Sequence, residues 1–120
     1  MSANSDVRLI YVTCPDLAVA RTLAEAVVAD RIVACANILP TMHAVYRWEG
    51  KVETAEECVL LLKTSAARCR DVIDRIQAAH PYDVPAILEV PVIGGARAFL
   101  DWVVSESQPG AAGDSAPTQN

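Results

Sequence analysis

The sequence lacks the short motifs that carry most enzyme chemistry. It has no glycine-rich phosphate loop, no GxSxG nucleophile elbow and no HExxH helix. It also has no CxxC pair, because Cys14, Cys35, Cys58 and Cys69 stand far apart. This spacing excludes a zinc knuckle and a thioredoxin-type centre and favours free thiols in a reducing compartment. We therefore expect a protein without catalytic activity.

Positive charge is also scarce. Ten Lys and Arg residues stand against fifteen Asp and Glu residues, which gives a formal net charge of −5 and no basic stripe. A surface that follows phosphates needs clustered cations, so we exclude nucleic acid as a partner. No apolar run approaches the ~18–20 residues of a membrane span, and residues 1–6 do not resemble a signal peptide. We expect a cytoplasmic protein with no membrane partner.

The sequence does contain enough apolar residues for one hydrophobic core. Its 120 residues are 52% hydrophobic, so one compact domain fits and two do not. From about Gln108 onward, the segment QPGAAGDSAPTQN has the composition of a disordered tail. We predict a flexible N-terminus at residues 1–6, a single domain at 7–106 and a disordered tail at 107–120.

Apolar periodicity within the domain predicts four strands and three helices. The predicted strands are 8–13, 32–39 (resuming from 43 to 49), 51–64 and 86–93, and the predicted helices are 16–31, 65–80 and one that includes 99–104. The order β-α-β-β-α-β plus one helix is typical of an α+β, ferredoxin-like sandwich. Such a sandwich has an antiparallel sheet in the spatial order 4-1-3-2 and two helices on one face. Another two-layer α+β arrangement is the alternative.

Four residues predict local boundaries of these elements. Asp16, after a proline, suits the N-cap of the first helix, and Ser65 suits that of the second. Pro40 predicts a bulge or an edge position in the second strand, because proline cannot donate a hydrogen bond to a neighbouring strand. Pro91 marks the fourth strand as an edge strand for the same reason.

The predicted strands are apolar on both faces, although one face of such a sheet usually meets water. In the first strand Leu9 and Tyr11 point one way while Ile10 and Val12 point the other. In the third strand Val59 and Leu61 likewise oppose Leu60 and Leu62, and in the fourth Ile87 opposes Leu88. The short last helix can cover only part of a second face. We therefore expect the remainder to contact another subunit.

The connection between the second and third strands predicts an unusually long hairpin. Glu49-Gly50 between Trp48 and Lys51 is typical of a two-residue turn. The third strand would span ~45 Å and the first only ~20 Å, so the hairpin tip must extend beyond the core. Tyr46 and Trp48 would then anchor a neighbouring subunit. The alternative is a cross-strand aromatic pair that only stabilises the hairpin.

The predicted topology brings several polar residues to one edge of the sheet: Cys14, Asp16, His80, Tyr82 and Asp83. Thiolate, imidazole and carboxylate together suit copper or zinc, and thiolate especially suits Cu(I). The helix dipole is expected to favour the thiolate of Cys14, whereas a helix C-terminus favours imidazolium at His80. We predict a metal site formed by Cys14, His80 and Asp83.

Other interpretations of these residues stay open. Cys14 and His80 are the only pair that could serve a thiol enzyme. His80 also continues an apolar helix stripe, which suits a capping or interface residue. We interpret Cys35, Cys58 and Cys69 as small core residues.

Several segments resemble the divalent-cation tolerance proteins of the CutA family. They are VTCPD (12–16), RIVACANILP (31–40), YRWEGKVE (46–53), VLLLKT (59–64), HPYDVP (80–85) and FLDWV (99–103). The resemblance extends over roughly residues 7–104. Several matching segments in the same order make it much more specific than any one motif.

The resemblance implies a ferredoxin-like homotrimer in which long hairpins link neighbouring subunits. It also implies an association with copper and other divalent metal ions, and a role in the response to them. A likeness to the trimeric PII signalling proteins implies an alternative, a regulator that binds a small ligand between subunits. The expected interface residues are Tyr46, Trp48, Glu49, Lys51 and Trp102.

The chain departs from the family pattern at three positions near the predicted site. Some members have a cysteine at the position of Val12 and a second histidine at the position of Ala79, and both are linked with copper. Many members have a glutamate at the position of Ala86. The predicted metal site of this chain therefore depends on Cys14, His80 and Asp83.

Overall fold

The computed structural model describes residues 5–108, which contain four strands and three α-helices. In chain order they are β1 (Val7–Cys14), α1 (Leu17–Ala29), β2 (Cys35–Trp48), β3 (Lys51–Ser65), α2 (Cys69–Ala79), β4 (Ile87–Pro91) and α3 (Arg97–Glu106). The predicted order of elements is confirmed. Most of the two predicted terminal segments, 1–6 and 107–120, lies outside the described residues.

The four strands form one sheet in the order β2-β3-β1-β4, and all neighbouring strands are antiparallel. This is the spatial order predicted from the sequence, and it confirms the α+β sandwich. Among residues 5–108, no helix is long and apolar enough to cross a membrane.

The strand order and pairing place the ends of β1 and α2 at the same edge of the sheet as the hairpin.

The core lies between one face of the sheet and helices α1 and α2. Alternate residues of β1 and β3 point into it, because successive side chains of a strand point to opposite faces. These residues are joined by apolar residues of both helices; the cluster includes Ile10, Val12, Leu60, Leu62, Leu23, Val27, Val72 and Ile76. Helix α3 lies against β1 and β3, and Lys63, on the opposite face from the core, stacks 5.5 Å from the centre of the Phe99 ring.

The two predicted helix caps had different outcomes. The Asp16 side chain accepts a hydrogen bond from the backbone N–H of Val19 at 2.9 Å, which confirms the first cap. The prediction for Ser65 was wrong, because a 3₁₀ turn at Ala66–Arg68 precedes α2 and the Ser65 side chain makes no capping hydrogen bond. Ser65 is the last residue of β3 and pairs with Val7, so its backbone belongs to the sheet.

Helix α1 ends at Ala29, two residues earlier than predicted. Arg31 has a φ of 64°, and the N–H of Ile32 donates to the carbonyl of Val27. A residue in this left-handed conformation commonly ends a helix, since the chain then turns away from the helix axis. The following strand consequently begins at Cys35.

Both strand prolines act as predicted. The register between β2 and β3 shifts between Leu39 and Met42, so Pro40 lies in a bulge. Its carbonyl accepts a hydrogen bond from the Cys58 thiol at 3.0 Å. Pro91 is the last residue of β4, which is an edge strand.

The predicted two-residue turn connects β2 and β3. Trp48 pairs with Lys51, and both residues between them have positive φ, 50° at Glu49 and 80° at Gly50. Two positive φ values are typical of the turn that matches the twist of a hairpin. Glycine adopts this conformation freely, whereas glutamate does so only against a steric preference.

Candidate functional site

His80 holds together the edge of the sheet at which β1 ends and α1 begins. It follows α2 directly and is buried. Its Nε2 lies 2.8 Å from the carbonyl oxygen of Thr13, and its Nδ1 accepts a hydrogen bond from the backbone N–H of Tyr82 at 3.1 Å. Because a carbonyl can only accept, this geometry requires the proton on Nε2 and leaves the lone pair on Nδ1.

Tyr82 extends this cluster to the third strand. Its hydroxyl donates to Oε2 of Glu57 at 3.0 Å, and its ring centre lies 4.9 Å from that of His80. Burial, followed by the hydrogen bond and the negative charge of Glu57, raises the pKa of Tyr82 to about 12. The phenol therefore stays protonated and donates to the carboxylate.

Cys14 is the last residue of β1 and is fully buried. The pKa of its thiol is raised from 9.0 to about 11, mainly by burial. Smaller contributions come from Cys58 and from the carboxylates of Glu57 and Asp16. The prediction that the helix N-terminus favours a thiolate here was wrong. Burial and nearby negative charge both disfavour the thiolate and raise the pKa of Cys14.

The structure brings most of the predicted edge residues together but does not assemble a metal site from them. Charge on Cys14 contributes to the raised pKa of Tyr82, and charge on Asp16 contributes to the raised pKa of Cys14. These residues are therefore neighbours. Asp83 is exposed in the bend that follows Tyr82. Within residues 5–108, no group of three His, Cys, Asp or Glu side chains is arranged to hold a metal ion. Ligation by Cys14, His80 and Asp83 stays a prediction.

Two residues of the cluster were missed in the sequence, Glu57 and Cys58. Glu57 accepts the hydrogen bond of Tyr82, and Cys58 lies directly opposite Cys14 in the pairing of β1 with β3. Sequence analysis placed Cys58 correctly in the core but did not connect it with Cys14. The only signal would have been the register of two strands that are distant in the chain, and no local pattern specifies that register.

The raised pKa of Cys14 predicts a slow thiol. An increase of two pKa units lowers the thiolate fraction about 100-fold near pH 8, and burial slows reaction further. Iodoacetamide should therefore alkylate Cys14 at least about 100-fold more slowly in the folded protein than in urea, as measured by mass spectrometry of the Cys14 peptide. Equal rates in the two states would contradict this prediction, and a thiol enzyme would require Cys14 to react faster in the folded protein than in urea.

A second feature is the part of the β2–β3 hairpin that extends beyond the core. Strand β1 pairs only with residues 58–65 of β3, so residues 51–57 pair with β2 alone. We define the hairpin surface as Tyr46 and Trp48, which are exposed on one side of the hairpin, while Val45 and Val52 are exposed on the other side. Trp48 is 56% exposed. A small protein rarely exposes such residues together unless the surface binds a partner.

The hairpin surface continues onto the sheet face opposite the core, which we call the outer face. Pairing places Tyr46 and Trp48 on the same side of β3 as Val59 and Leu61. Helix α3 covers part of this face, but Leu39, Leu88 and Val90 stay exposed. The expected burial of both sheet faces is therefore met only in part within one chain.

Trp102 of α3 also lies at this face. Its ring packs against Phe99 with the ring centres 5.8 Å apart. The indole N–H is buried and has no hydrogen-bond acceptor among residues 5–108. Since a buried donor without an acceptor is costly, an acceptor from outside this part of the chain would stabilise it.

Comparison with known proteins identifies the family. The family model described as CutA1 divalent ion tolerance protein matches residues 8–106. The chain belongs to the CutA1 family. This confirms the resemblance found in the sequence and assigns the chain to the divalent-cation tolerance proteins, which are not a known enzyme family.

Individual CutA proteins match in sequence and in fold. The divalent-cation tolerance protein CutA of Thermus thermophilus is 41% identical over 95 residues, 79% of this chain and 92% of that protein. The chloroplastic protein CutA of Arabidopsis thaliana is 34% identical over 100 residues, which are 83% of this chain and 55% of that protein. The crystal structure of CutA from Xylella fastidiosa has a TM-score of 0.84 and 41% identity, and the match covers 87% of this chain and 100% of that chain.

Proposed function

We propose that this protein acts as a homotrimer in the response to divalent metal ions and binds copper or a similar ion without catalysing a reaction. The observation that carries the proposal is the exposed apolar hairpin surface of a chain that belongs to a cation tolerance family. We place the protein in the cytoplasm, where its four free cysteines would stay reduced.

The hairpin supports self-association through its length. Residues 51–57 extend about 20 Å beyond the strands that carry the core. A two-stranded hairpin alone is marginally stable in water, so a neighbouring surface would stabilise it. The outer face of a second copy offers exposed apolar residues for this contact, among them Leu88, which is 57% exposed.

The family resemblance, and not the shape of the single chain, supports a ring of three copies. A twofold dimer would make the contact between hairpin and outer face twice and reciprocally, whereas a one-way contact continues from copy to copy and closes into a ring when the rotation between copies allows it. Three copies form the smallest such ring. The proposed interface residues are Tyr46, Trp48, Glu49, Lys51 and Trp102.

We propose the sheet edge as the place where a divalent ion binds, with Cys14, His80 and Asp83 as its ligands. His80 would contribute Nδ1, since that nitrogen holds the lone pair and now accepts from the Tyr82 N–H. Nε2 would keep its hydrogen bond to Thr13, as the second nitrogen of a metal-bound histidine commonly does. Asp83, which is exposed and follows His80 closely in the chain, would supply the carboxylate.

We predict that His80→Ala and Asp83→Ala each weaken Cu(II) binding at least about tenfold, because each removes a proposed ligand. Isothermal titration calorimetry on the reduced protein measures this affinity. His43→Ala is a matched control, since His43 is an exposed histidine on the hairpin, 3.9 Å from Glu56, and is not one of the proposed ligands. Unchanged affinity in both His80→Ala and Asp83→Ala would reject the site.

Light scattering tests the proposed assembly separately. We expect the mass of three chains at micromolar concentration, with or without metal. A monomer would reject the trimer and leave the metal site to be judged by calorimetry.

A further inference from the structure

Tyr82 connects the loop after α2 with strand β3. Its backbone N–H donates to Nδ1 of His80 at 3.1 Å, and its ring centre lies 4.9 Å from that of His80. His80 is itself fixed to β1, since its Nε2 donates to the carbonyl of Thr13 at 2.8 Å. The Tyr82 hydroxyl donates to Oε2 of Glu57 at 3.0 Å. One residue is therefore anchored to the sheet edge through its backbone and to β3 through its side chain.

Glu57 lies at the base of the part of the hairpin that extends beyond the core. Cys58 is the last residue of β3 that pairs with β1, so Glu57 is the first residue that β2 alone supports. Its partner on β2 is Met42, at which regular pairing resumes after the bulge at Pro40. A bulge bends its strand and interrupts the ladder of hydrogen bonds. The direction of the hairpin is therefore least fixed at this point.

The Tyr82–Glu57 hydrogen bond is well placed to fix that direction. The bulge itself is closed by the Cys58 thiol, which donates to the Pro40 carbonyl at 3.0 Å, but a thiol is a weak donor. Glu57 offers a charged acceptor, and hydrogen bonds to charged groups are about twice as strong as neutral ones. Tyr82 also lies near the hairpin surface, because charge on Tyr46 contributes to the raised pKa of Tyr82.

We propose that Tyr82 is a positioning residue, whose hydrogen bond to Glu57 holds the hairpin in the direction from which the hairpin surface contacts a neighbouring copy. The effect on assembly rests on the proposed function, whereas the direction of the hairpin is a property of the single chain. Without this hydrogen bond the hairpin changes direction about the bulge. Part of the free energy of association is then spent on ordering the hairpin.

Hydrogen exchange followed by mass spectrometry tests the single chain. Tyr82→Phe removes only the hydroxyl, and loss of a typical hydrogen bond changes an equilibrium constant about fivefold. In full-length Trp48→Glu protein, where no second copy is expected to cover the hairpin, amides of residues 42–57 should exchange at least about fivefold faster once Tyr82→Phe is added. Amides of β1 should keep their rates. Should Trp48→Glu keep the wild-type mass, the same comparison is made in the wild-type protein.

A double-mutant cycle separates this hydrogen bond from a general loosening of the loop. Glu57→Ala alone should accelerate exchange about as much as Tyr82→Phe, and the double variant should add nothing, because both changes remove the same bond. Tyr11→Phe is the matched control, since it makes the same chemical change in β1, where Tyr11 pairs with β3 and β4. Unchanged exchange in Tyr82→Phe, independent effects that multiply to about 25-fold, or equal acceleration in Tyr11→Phe would overturn the proposal.

Subunit exchange tests the effect on assembly. Labelled ¹⁵N chains are mixed with unlabelled chains, and native mass spectrometry follows the formation of mixed trimers. Tyr82→Phe should exchange subunits at least about fivefold faster than wild type, because changes at an interface act mostly on dissociation. An unchanged rate would overturn the role of Tyr82 in assembly. A monomeric wild type would reject the proposed trimer, while hydrogen exchange would still decide whether Tyr82 positions the hairpin.

Discussion

Replacing Trp48 by glutamate is expected to convert the proposed trimer into monomers. Trp48 is 56% exposed in the single chain and lies on the part of β2 that no third strand supports. In the trimer its ring would be buried against the neighbouring outer face. A central interface tryptophan contributes about 2 kcal/mol or more, and an unpaired buried carboxylate adds a further cost. The loss recurs at each of the three interfaces of a closed ring.

Light scattering at micromolar concentration measures this effect directly. The Trp48→Glu protein should have the mass of one chain, while its far-ultraviolet circular dichroism stays close to that of the wild type. The spectrum should be retained because Trp48 lies outside the core cluster.

Gln77→Glu is the matched control for charge. Gln77 is exposed on α2, on the helix layer and away from the outer face, and the substitution adds the same single negative charge. This variant should stay trimeric. A Trp48→Glu protein that keeps the mass of the wild-type trimer would show that the hairpin tip does not carry the assembly.

Leu60→Ala is expected to lower the free energy of unfolding by about 3 kcal/mol, within the range of about 2–5 kcal/mol for buried leucines. Leu60 has 0% exposure and lies on β3 between two neighbouring strands, facing α1 and α2. Truncation removes contacts with both layers and leaves a cavity that the flanking strands cannot close. Urea denaturation followed by circular dichroism measures the difference at one fixed chain concentration, because self-association would add to the apparent stability.

Leu17→Ala makes the same chemical change at the first residue of α1, where leucine is 40% exposed. Its effect should stay below about 1 kcal/mol, since a side chain that is 40% exposed loses less burial on truncation and leaves no closed cavity. Equal losses in Leu17→Ala and Leu60→Ala would contradict the position of the core between the sheet and the two helices.

Several features of the fold could be predicted because their signals lie within a few residues of each other. Asp16 caps α1 by accepting from a backbone N–H three residues later. Glu49-Gly50 forms the turn between the paired residues Trp48 and Lys51. Pro40 produces its bulge through the absence of its own N–H. Such signals do not depend on the rest of the molecule.

Ser65 shows where local signals fail. Its residue type and the apolar stripe that follows it favour an N-cap, yet pairing with Val7 keeps it in β3. A strand pairing between residues that are distant in the chain thus outweighed a local preference. The same competition makes the ends of elements less predictable than their order.

For the candidate site, the sequence predicted the location but not the chemistry. The meeting of Cys14, His80 and Tyr82 at one edge follows from the order of the elements. The pKa values and hydrogen bonds of Cys14 and Tyr82 do not follow from that order, because they depend on residues from other strands. Glu57 and Cys58 belong to β3, and they act on Tyr82 and Cys14 only through the register of that strand.

The sequence by itself determined the number and order of the elements, the long hairpin and the family of this protein. Hydrophobic periodicity, turn residues and short matching segments are local properties of the sequence, and they do not depend on contacts between distant segments. Only the tertiary structure decided that Cys14 is a buried thiol with a raised pKa opposite Cys58, and that His80 uses both nitrogens in hydrogen bonds. Burial, register and charge arise from segments that are distant in the chain, and folding alone brings them together.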